Sequence, residues 1–230
     1  MIRSVCLAGL LGLAGCVIDS KVDEINLDLP EQQVIVDTGT WKLTDEGRMP
    51  AVECAGMPGI CADRVDMWCG AEDVCQATCG TGTCEIEVAV ALWNTINLEQ
   101  EATQLAQLDG QPLQTVTIDE VTFTVSDNTL NVPSPPLTVS VAPSGVMSVG
   151  GRNSDEVGVI PALEPGQTVG EEKIELTPAG QSVLSERMRD YQTPFNLVVG
   201  STVTLRAGEQ VPSGRLKADL KVSAHANTGL

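Results

Sequence analysis

Apolar and polar residues alternate with a period of two over much of the chain after residue 85, which is the pattern of half-buried β-strands. The alternation runs through 86–98, 116–125, 137–141, 197–205 and 216–224. Within the second of these segments the apolar residues change parity at Asp119-Glu120. One extra residue at this point would reverse the two faces of the strand, so the pattern predicts a β-bulge there.

Two short helices are predicted between the strands. Asn97 followed by Gln100 is typical of a helix start, and apolar residues continue at helical spacing to Asp109-Gly110. Thr177-Pro178 predicts a second start, with a capping residue before a proline at the first helical position. Six to eight strands with two short helices predict an antiparallel β-sandwich of immunoglobulin-like size over residues 85–230.

The chain begins with the features of an exported protein. Arg3 precedes an apolar run from Val5 to Ala14 that is too short to span a bilayer as a permanent helix. This is the layout of a secretory signal peptide, here residues 1–15. The four residues at its end, Leu13-Ala14-Gly15-Cys16, resemble the lipobox of bacterial lipoproteins. An ordinary secretory leader with an incidental cysteine is the alternative.

The resemblance to lipoproteins implies that the leader is removed before Cys16 and that the Cys16 thiol receives a diacylglycerol. The mature protein would then be held at a bacterial membrane by lipid alone, because no other stretch is long and apolar enough to cross one. In lipoproteins of enteric bacteria, Asp directly after the cysteine favours the inner membrane. Val17 and Ile18 stand there instead, so we expect a cell-envelope protein of the outer membrane.

Residues 16–33 are predicted to form an extended tether between the membrane and the folded part. This stretch carries five acidic residues and only one basic residue, Lys21, and self-repulsion extends such a segment. A binding tail for a basic partner is the alternative. After the tether, residues 34–84 form an N-terminal segment in which 34–36 and 41–43 would be short strands.

Six cysteines are concentrated within residues 54–84, among several glycines. They are Cys54, Cys61, Cys69, Cys75, Cys79 and Cys84. An exported protein meets an oxidising compartment, so three disulfides are expected, and fifteen pairings are open. Zinc is the alternative, but the segment has no histidine and no paired C-x2-C spacing. We therefore predict a disulfide-rich segment before the sandwich and no metal site.

Charge and composition exclude several functions. The chain has 31 acidic and 13 basic residues, a formal charge of −18, which disfavours nucleic acid as a partner. The single histidine, His225, excludes multi-histidine metal sites and lies in the polar face of the last strand. No common catalytic or cofactor-binding motif is present. The sequence predicts no cofactor beyond the covalent lipid on Cys16.

The edges of the sheets are general candidates for an interaction face, and two groups of residues are specific ones. Arg215, Lys217 and Lys221 form a row on the polar side of the last strand, called here the basic row. It would dock an acidic polymer, lipid headgroups or the acidic tether; the alternative is an ordinary wet face of an antiparallel sheet. Trp68, in the cysteine segment, is the second candidate.

These observations favour a non-catalytic, lipid-anchored envelope protein with a structural or adhesion role, whose partners are the membrane and another envelope protein or an acidic polymer. One alternative is a carrier for a hydrophobic ligand, which needs a cavity of about 300–1,000 Å³ between the sheets. Its predicted lining is Val88, Val121, Phe123, Val203 and Leu220. A hydrolase of an envelope polymer is less favoured and needs two acids converging in an open cleft.

Overall fold

A computed structural model describes residues 24–41, 43, 47–57, 59–69, 75–108 and 110–228. Cys16, the leader and the first part of the predicted tether lie outside these residues. The described strands are β1 (Glu24–Asp28), β2 (Gln32–Asp37), β3 (Cys75–Cys79), β4 (Cys84–Ile96), β5 (Thr115–Asn128), β6 (Leu137–Pro143), β7 (Asp155–Ile160), β8 (Val169–Lys173), β9 (Phe195–Leu205) and β10 (Arg215–Asn227). The described α-helices are α1 (Gly59–Trp68), α2 (Leu98–Glu101) and α3 (Pro178–Arg189).

The strands form two antiparallel sheets. In the first sheet β10 and β5 are central, β8 lies beyond β5, and β1 and β2 both pair along the other side of β10. The second sheet has the order β3-β4-β9-β6-β7. The predicted antiparallel β-sandwich with a preceding disulfide segment is confirmed.

The apolar side chains whose alternation predicts the strands also fill the space between the sheets. Apolar residues of one parity in β4, β5 and β10 are almost fully buried, as Val88, Phe123 and Leu220 illustrate. Burying a side chain of this size stabilises the fold by about 1.5–3 kcal/mol. The bulge is confirmed as well, since the β5–β10 register shifts between Ser223 and Ala224 and leaves Asp119 as the extra residue.

Helix α3 begins where the sequence predicts and ends at Arg189. The Thr177 hydroxyl accepts a hydrogen bond from the Gly180 amide at 2.9 Å, and Leu184 and Met188 are fully buried. The helix packs against β5 of the first sheet and β7 of the second. It therefore covers one side of the sandwich, where β7 and β8 are the edge strands.

The first predicted helix is instead two separate turns. Asn97 caps α2 as expected, with its side chain accepting from the Gln100 amide. The backbone is extended at Ala102, and a 3₁₀ turn follows at Leu105–Leu108. Leu98, Leu105 and Leu108, whose spacing predicted the helix, are still buried. The conformation of this short segment therefore depends on burying its leucines in the core rather than on forming one continuous helix.

The sandwich begins earlier than residue 85, and the tether prediction is wrong from Glu24 onward. Strand β1 pairs with residues 223–227 of β10. Ile25, Leu27 and Leu29 are buried, while the residues between them in β1 are exposed. Acidic residues dominate the composition of this stretch, but they alternate with apolar ones. One face of β1 can therefore be buried while its charges remain in water.

Within the described ranges, each helix is too short or too polar to cross a membrane.

Candidate interaction surfaces

The six cysteines of the segment form three disulfides, as predicted. The pairs are Cys54–Cys79, Cys61–Cys84 and Cys69–Cys75. The first two connect the α1 region to the hairpin of β3 and β4, and the third closes a short loop. A small segment cannot bury a large core, so these covalent links replace part of the apolar packing.

Trp68 does not contribute the exposed surface expected of it. It is the last residue of α1 and is only 5 % exposed. The exposed apolar side chains of this segment are instead those of Met57 and Met67. Trp68 is therefore part of the hydrophobic core.

The basic row lies on the outer face of the first sheet, as the alternation predicts, but acidic residues surround it. Asp37 is the cross-strand neighbour of Arg215, and Asp127 that of Lys217. The Arg215 guanidinium lies 3.2 Å from the Asp127 carboxylate. The acidic residues in or beside this row are Asp28, Asp37, Glu120, Asp127 and Asp219. The arrangement favours the alternative interpretation, a solvated sheet face rather than a site for an acidic polymer.

Lys173 adds a cation to the same sheet, and it is also paired. Its ammonium lies 2.7 Å from the Glu120 carboxylate. The hydrogen bond that the Lys173 ammonium donates to Glu120, together with the negative charge of that carboxylate, raises the pKa of Lys173 above its ordinary value. Lys173 is fully exposed, and surface pairs of this kind contribute little to stability.

His225 has a partner that sequence reasoning missed. Its Nδ1 lies 2.8 Å from the Asp119 carboxylate, and both side chains are partly exposed. Asp119 is the extra residue of the β-bulge, so the predicted bulge was a signal for this contact. The pair lies on an outer sheet face.

A small apolar cavity lies between the two sheets, with a volume well below the one that the predicted hydrophobic ligand needs. The apolar cavity there, lined in part by Trp41, Val203 and Leu216, has a volume of about 30 Å³, room for about one or two water molecules. The other predicted lining residues, Val88, Val121, Phe123 and Leu220, are buried and are not part of it. Their side chains fill the core instead.

An open cleft lies at the C-terminal end of α3, with a volume of about 530 Å³. Asp155, Glu186 and Asp190 line it together with Arg187 and Arg189. Three acidic residues therefore line one open cleft, the kind of site that the hydrolase hypothesis requires. The aromatic residues of the cleft, Tyr191 and Phe195, are buried, so they offer no exposed platform for a sugar ring.

A second opening, on the side of the sandwich away from α3, has no charged residue in its lining. This groove lies between β2 and β4 and has a volume of about 330 Å³; it is called here the edge groove. Trp93 and Ile35 are 45 % and 40 % exposed. Its lining consists of Gln32, Gln33, Val34, Ile35, Leu92, Trp93, Asn94, Leu197 and Val199. The edge groove therefore combines an apolar surface with uncharged polar groups.

Two strand edges border this groove. In the described part of the chain, residues 89–96 of β4 pair only with β9, and β2 pairs only with β10. A hydrogen bond connects the two edges, from the Asn94 side-chain amide to the Gln33 backbone carbonyl at 3.4 Å. Natural edge strands usually carry charges or prolines that prevent pairing with another chain. Residues 88–98 contain neither charges nor prolines. This stretch of the sequence therefore carries a signal for an edge that is open to pairing, which the predicted strand pattern alone did not reveal.

Comparison with known proteins gave no relative from which a function could be transferred: neither a protein-family model nor a curated protein sequence matches this chain.

Proposed function

We propose that this chain is a lipid-anchored protein of the bacterial cell envelope with a non-catalytic interaction role, and that the edge groove binds an extended segment of another envelope protein. The observation that carries the proposal is the exposed Trp93 indole beside an edge of β4 that no described strand pairs with. Large aromatic side chains in a partly enclosed position are the residues that most often dominate binding energy at interfaces.

An extended protein segment is the partner that matches this chemistry. The edges of β2 and β4 that the described strands leave unpaired present backbone donors and acceptors that an added strand would satisfy. The uncharged lining disfavours charged polymers and headgroups, although the chain as a whole has a charge of −18. The partner segment would therefore be apolar and uncharged on the side that faces Trp93.

The lipid anchor rests on the lipobox residues, Leu13 to Cys16. Mass spectrometry of the N-terminal peptide of the mature protein tests it directly. We expect the peptide to begin at Cys16 and to carry a diacylglycerol, and a Cys16→Ser variant to lose the lipid. A mature protein that begins elsewhere, or a Cys16 without lipid, would contradict the proposed lipid anchor.

Binding is tested by purifying the protein from its own envelope in gentle detergent and identifying the proteins that remain bound. Ile35→Asp and Trp93→Ala alter the edge groove, while Val159→Ala alters an exposed apolar residue on β7. We expect one protein to be retained by the wild type and by Val159→Ala, and lost from both groove variants. Equal retention by all four proteins would contradict the assignment of the groove.

A second candidate function, hydrolysis of an envelope polymer, is favoured by the carboxylates of the α3 cleft. Release of soluble fragments from purified peptidoglycan tests it. If the cleft is catalytic, Glu186→Gln or Asp190→Asn will abolish the release, and Glu99→Gln, an exposed acid outside the cleft, will not. We expect no release from the wild type, because the lining also carries two arginines and exposes no aromatic platform.

A further inference from the structure

Two disulfides of the cysteine segment lie side by side in the core. The sulfur atoms of Cys54, Cys61 and Cys84 are all within 4.8 Å of one another. Cys54 is bonded to Cys79, whereas Cys61 and Cys84 are bonded to each other. A thiolate released at Cys54 would therefore reach either sulfur of the neighbouring bond through a side-chain rotation, and disulfide exchange proceeds by such an attack.

Only one of the four cysteines is open to a reagent from outside. Cys54, Cys61 and Cys84 are almost completely buried, while Cys79 is half-buried at the end of β3. We propose that these four residues form a thiol–disulfide exchange site, at which a small thiol or the thiol of an oxidoreductase attacks Cys79. Exchange is faster at a sulfur that the attacking thiolate can reach.

Each step of the exchange conserves electrons. The external thiolate bonds to the Cys79 sulfur, and the Cys54–Cys79 bond breaks to release the Cys54 thiolate. This thiolate bonds to Cys61, and the Cys61–Cys84 bond breaks to release the Cys84 thiolate. Cys84 then attacks the mixed disulfide on Cys79 and expels the external thiolate, which is regenerated. No net oxidation or reduction occurs.

The last step is favoured by the position of its two cysteines. Cys79 and Cys84 are direct cross-strand neighbours in the hairpin of β3 and β4. Such neighbours have Cα atoms about 4.5–5.5 Å apart, within the range that a disulfide bridges. The product therefore contains Cys54–Cys61 and Cys79–Cys84 bonds in place of the original pair.

The exchange changes which parts of the molecule are linked. In the structure, both bonds connect the α1 region to the β3–β4 hairpin. In the product, one bond lies within the α1 region and the other within the hairpin. The α1 region would then be joined to the second sheet only by noncovalent contacts and the short loop closed by Cys69–Cys75.

The test is disulfide mapping of the full mature protein after incubation with reduced glutathione at about pH 8, near the thiol pKa. Acid quenching and alkylation precede digestion and mass spectrometry. We expect peptides that contain Cys54–Cys61 and Cys79–Cys84, an unchanged Cys69–Cys75 peptide, and no rise in free protein thiol. Retention of the original pairs alone, or their reduction without re-pairing, would overturn the proposal.

A matched pair of variants isolates the internal step. Cys79→Ser leaves Cys54 without its partner, and we expect Cys54 to be found bonded to Cys61 or Cys84. Cys69→Ser leaves Cys75 unpaired, and we expect the other two disulfides to keep their original pairing. The proposal is wrong if Cys54 in the Cys79→Ser variant is recovered entirely as a free, alkylated thiol.

Discussion

Trp68 and Trp93 differ in exposure, since the first is buried and the second is exposed. Trp68 was a candidate for an exposed contact of the cysteine segment, but its side chain belongs to the hydrophobic core. Trp93 lies in an apolar stretch, but on the parity opposite to Ile86 and Val88. The same alternation that predicts the strand therefore places Trp93 on the outer face.

Leu220 and Lys221 test the strand register at two adjacent positions. Leu220 is fully buried and Lys221 is exposed. Leu220→Asp would bury an unpaired charge, so we expect a loss of more than about 3 kcal/mol in the free energy of unfolding or a failure to fold. Lys221→Asp should change the free energy of unfolding by about 0.5 kcal/mol or less. Denaturant titration measures both, and equal effects would show that the register is wrong.

Strands were predicted better than helices, because a strand with one buried face shows its period directly in the sequence. The bulge in β5 and the faces of β10 follow from that period. The break between α2 and the following 3₁₀ turn could not be predicted from the spacing of the leucines, because one continuous helix and two separate turns would bury the same leucines. The contact between Asp119 and His225 needed the pairing of β5 with β10, which no single strand reveals.

The docking of α3 depends on Gly180. A Cβ at this position would lie 2.5 Å from the Val157 Cα and 2.6 Å from two backbone oxygens of β7. Alanine favours a helix by about 1 kcal/mol over glycine, but backbone atoms cannot move aside. We therefore expect Gly180→Ala to lower the melting temperature.

Gly170→Ala is the control for this prediction, because a Cβ there meets open space and the backbone is not left-handed. We expect its melting temperature to match that of the wild type, as measured by circular dichroism. A Gly180→Ala variant that is as stable as the wild type would contradict the close packing of α3 on β7.

The two sides of the sandwich differ in a way that suits an interaction protein. Helix α3 covers the side where β7 and β8 are the edges. On the other side, β2 and β4 each have an edge without a partner among the described strands, and the edge groove lies between them. Strand β1, where a tether was expected, belongs to that side through its pairing with β10. Composition predicted the tether, whereas the alternation of Ile25, Leu27 and Leu29 determined the fold.

Leu27 tests whether β1 is part of the folded molecule. Its side chain is buried, and its neighbour Asn26 is exposed. We expect Leu27→Asp to cost several kcal/mol in the free energy of unfolding, because it buries a charge, and Asn26→Asp to cost about 0.5 kcal/mol or less. A tether would tolerate both substitutions equally, so equal melting temperatures would contradict the position of β1.

The most direct test of the proposed function is photo-crosslinking in the intact envelope from a benzophenone side chain at position 93. The same side chain at position 159, an exposed apolar residue on the covered side of the sandwich, is the control. We expect one protein adduct from position 93, lost when Ile35→Asp is added, and none from position 159. The absence of a protein adduct at position 93, or the same adduct from both positions, would contradict the edge groove as the binding surface.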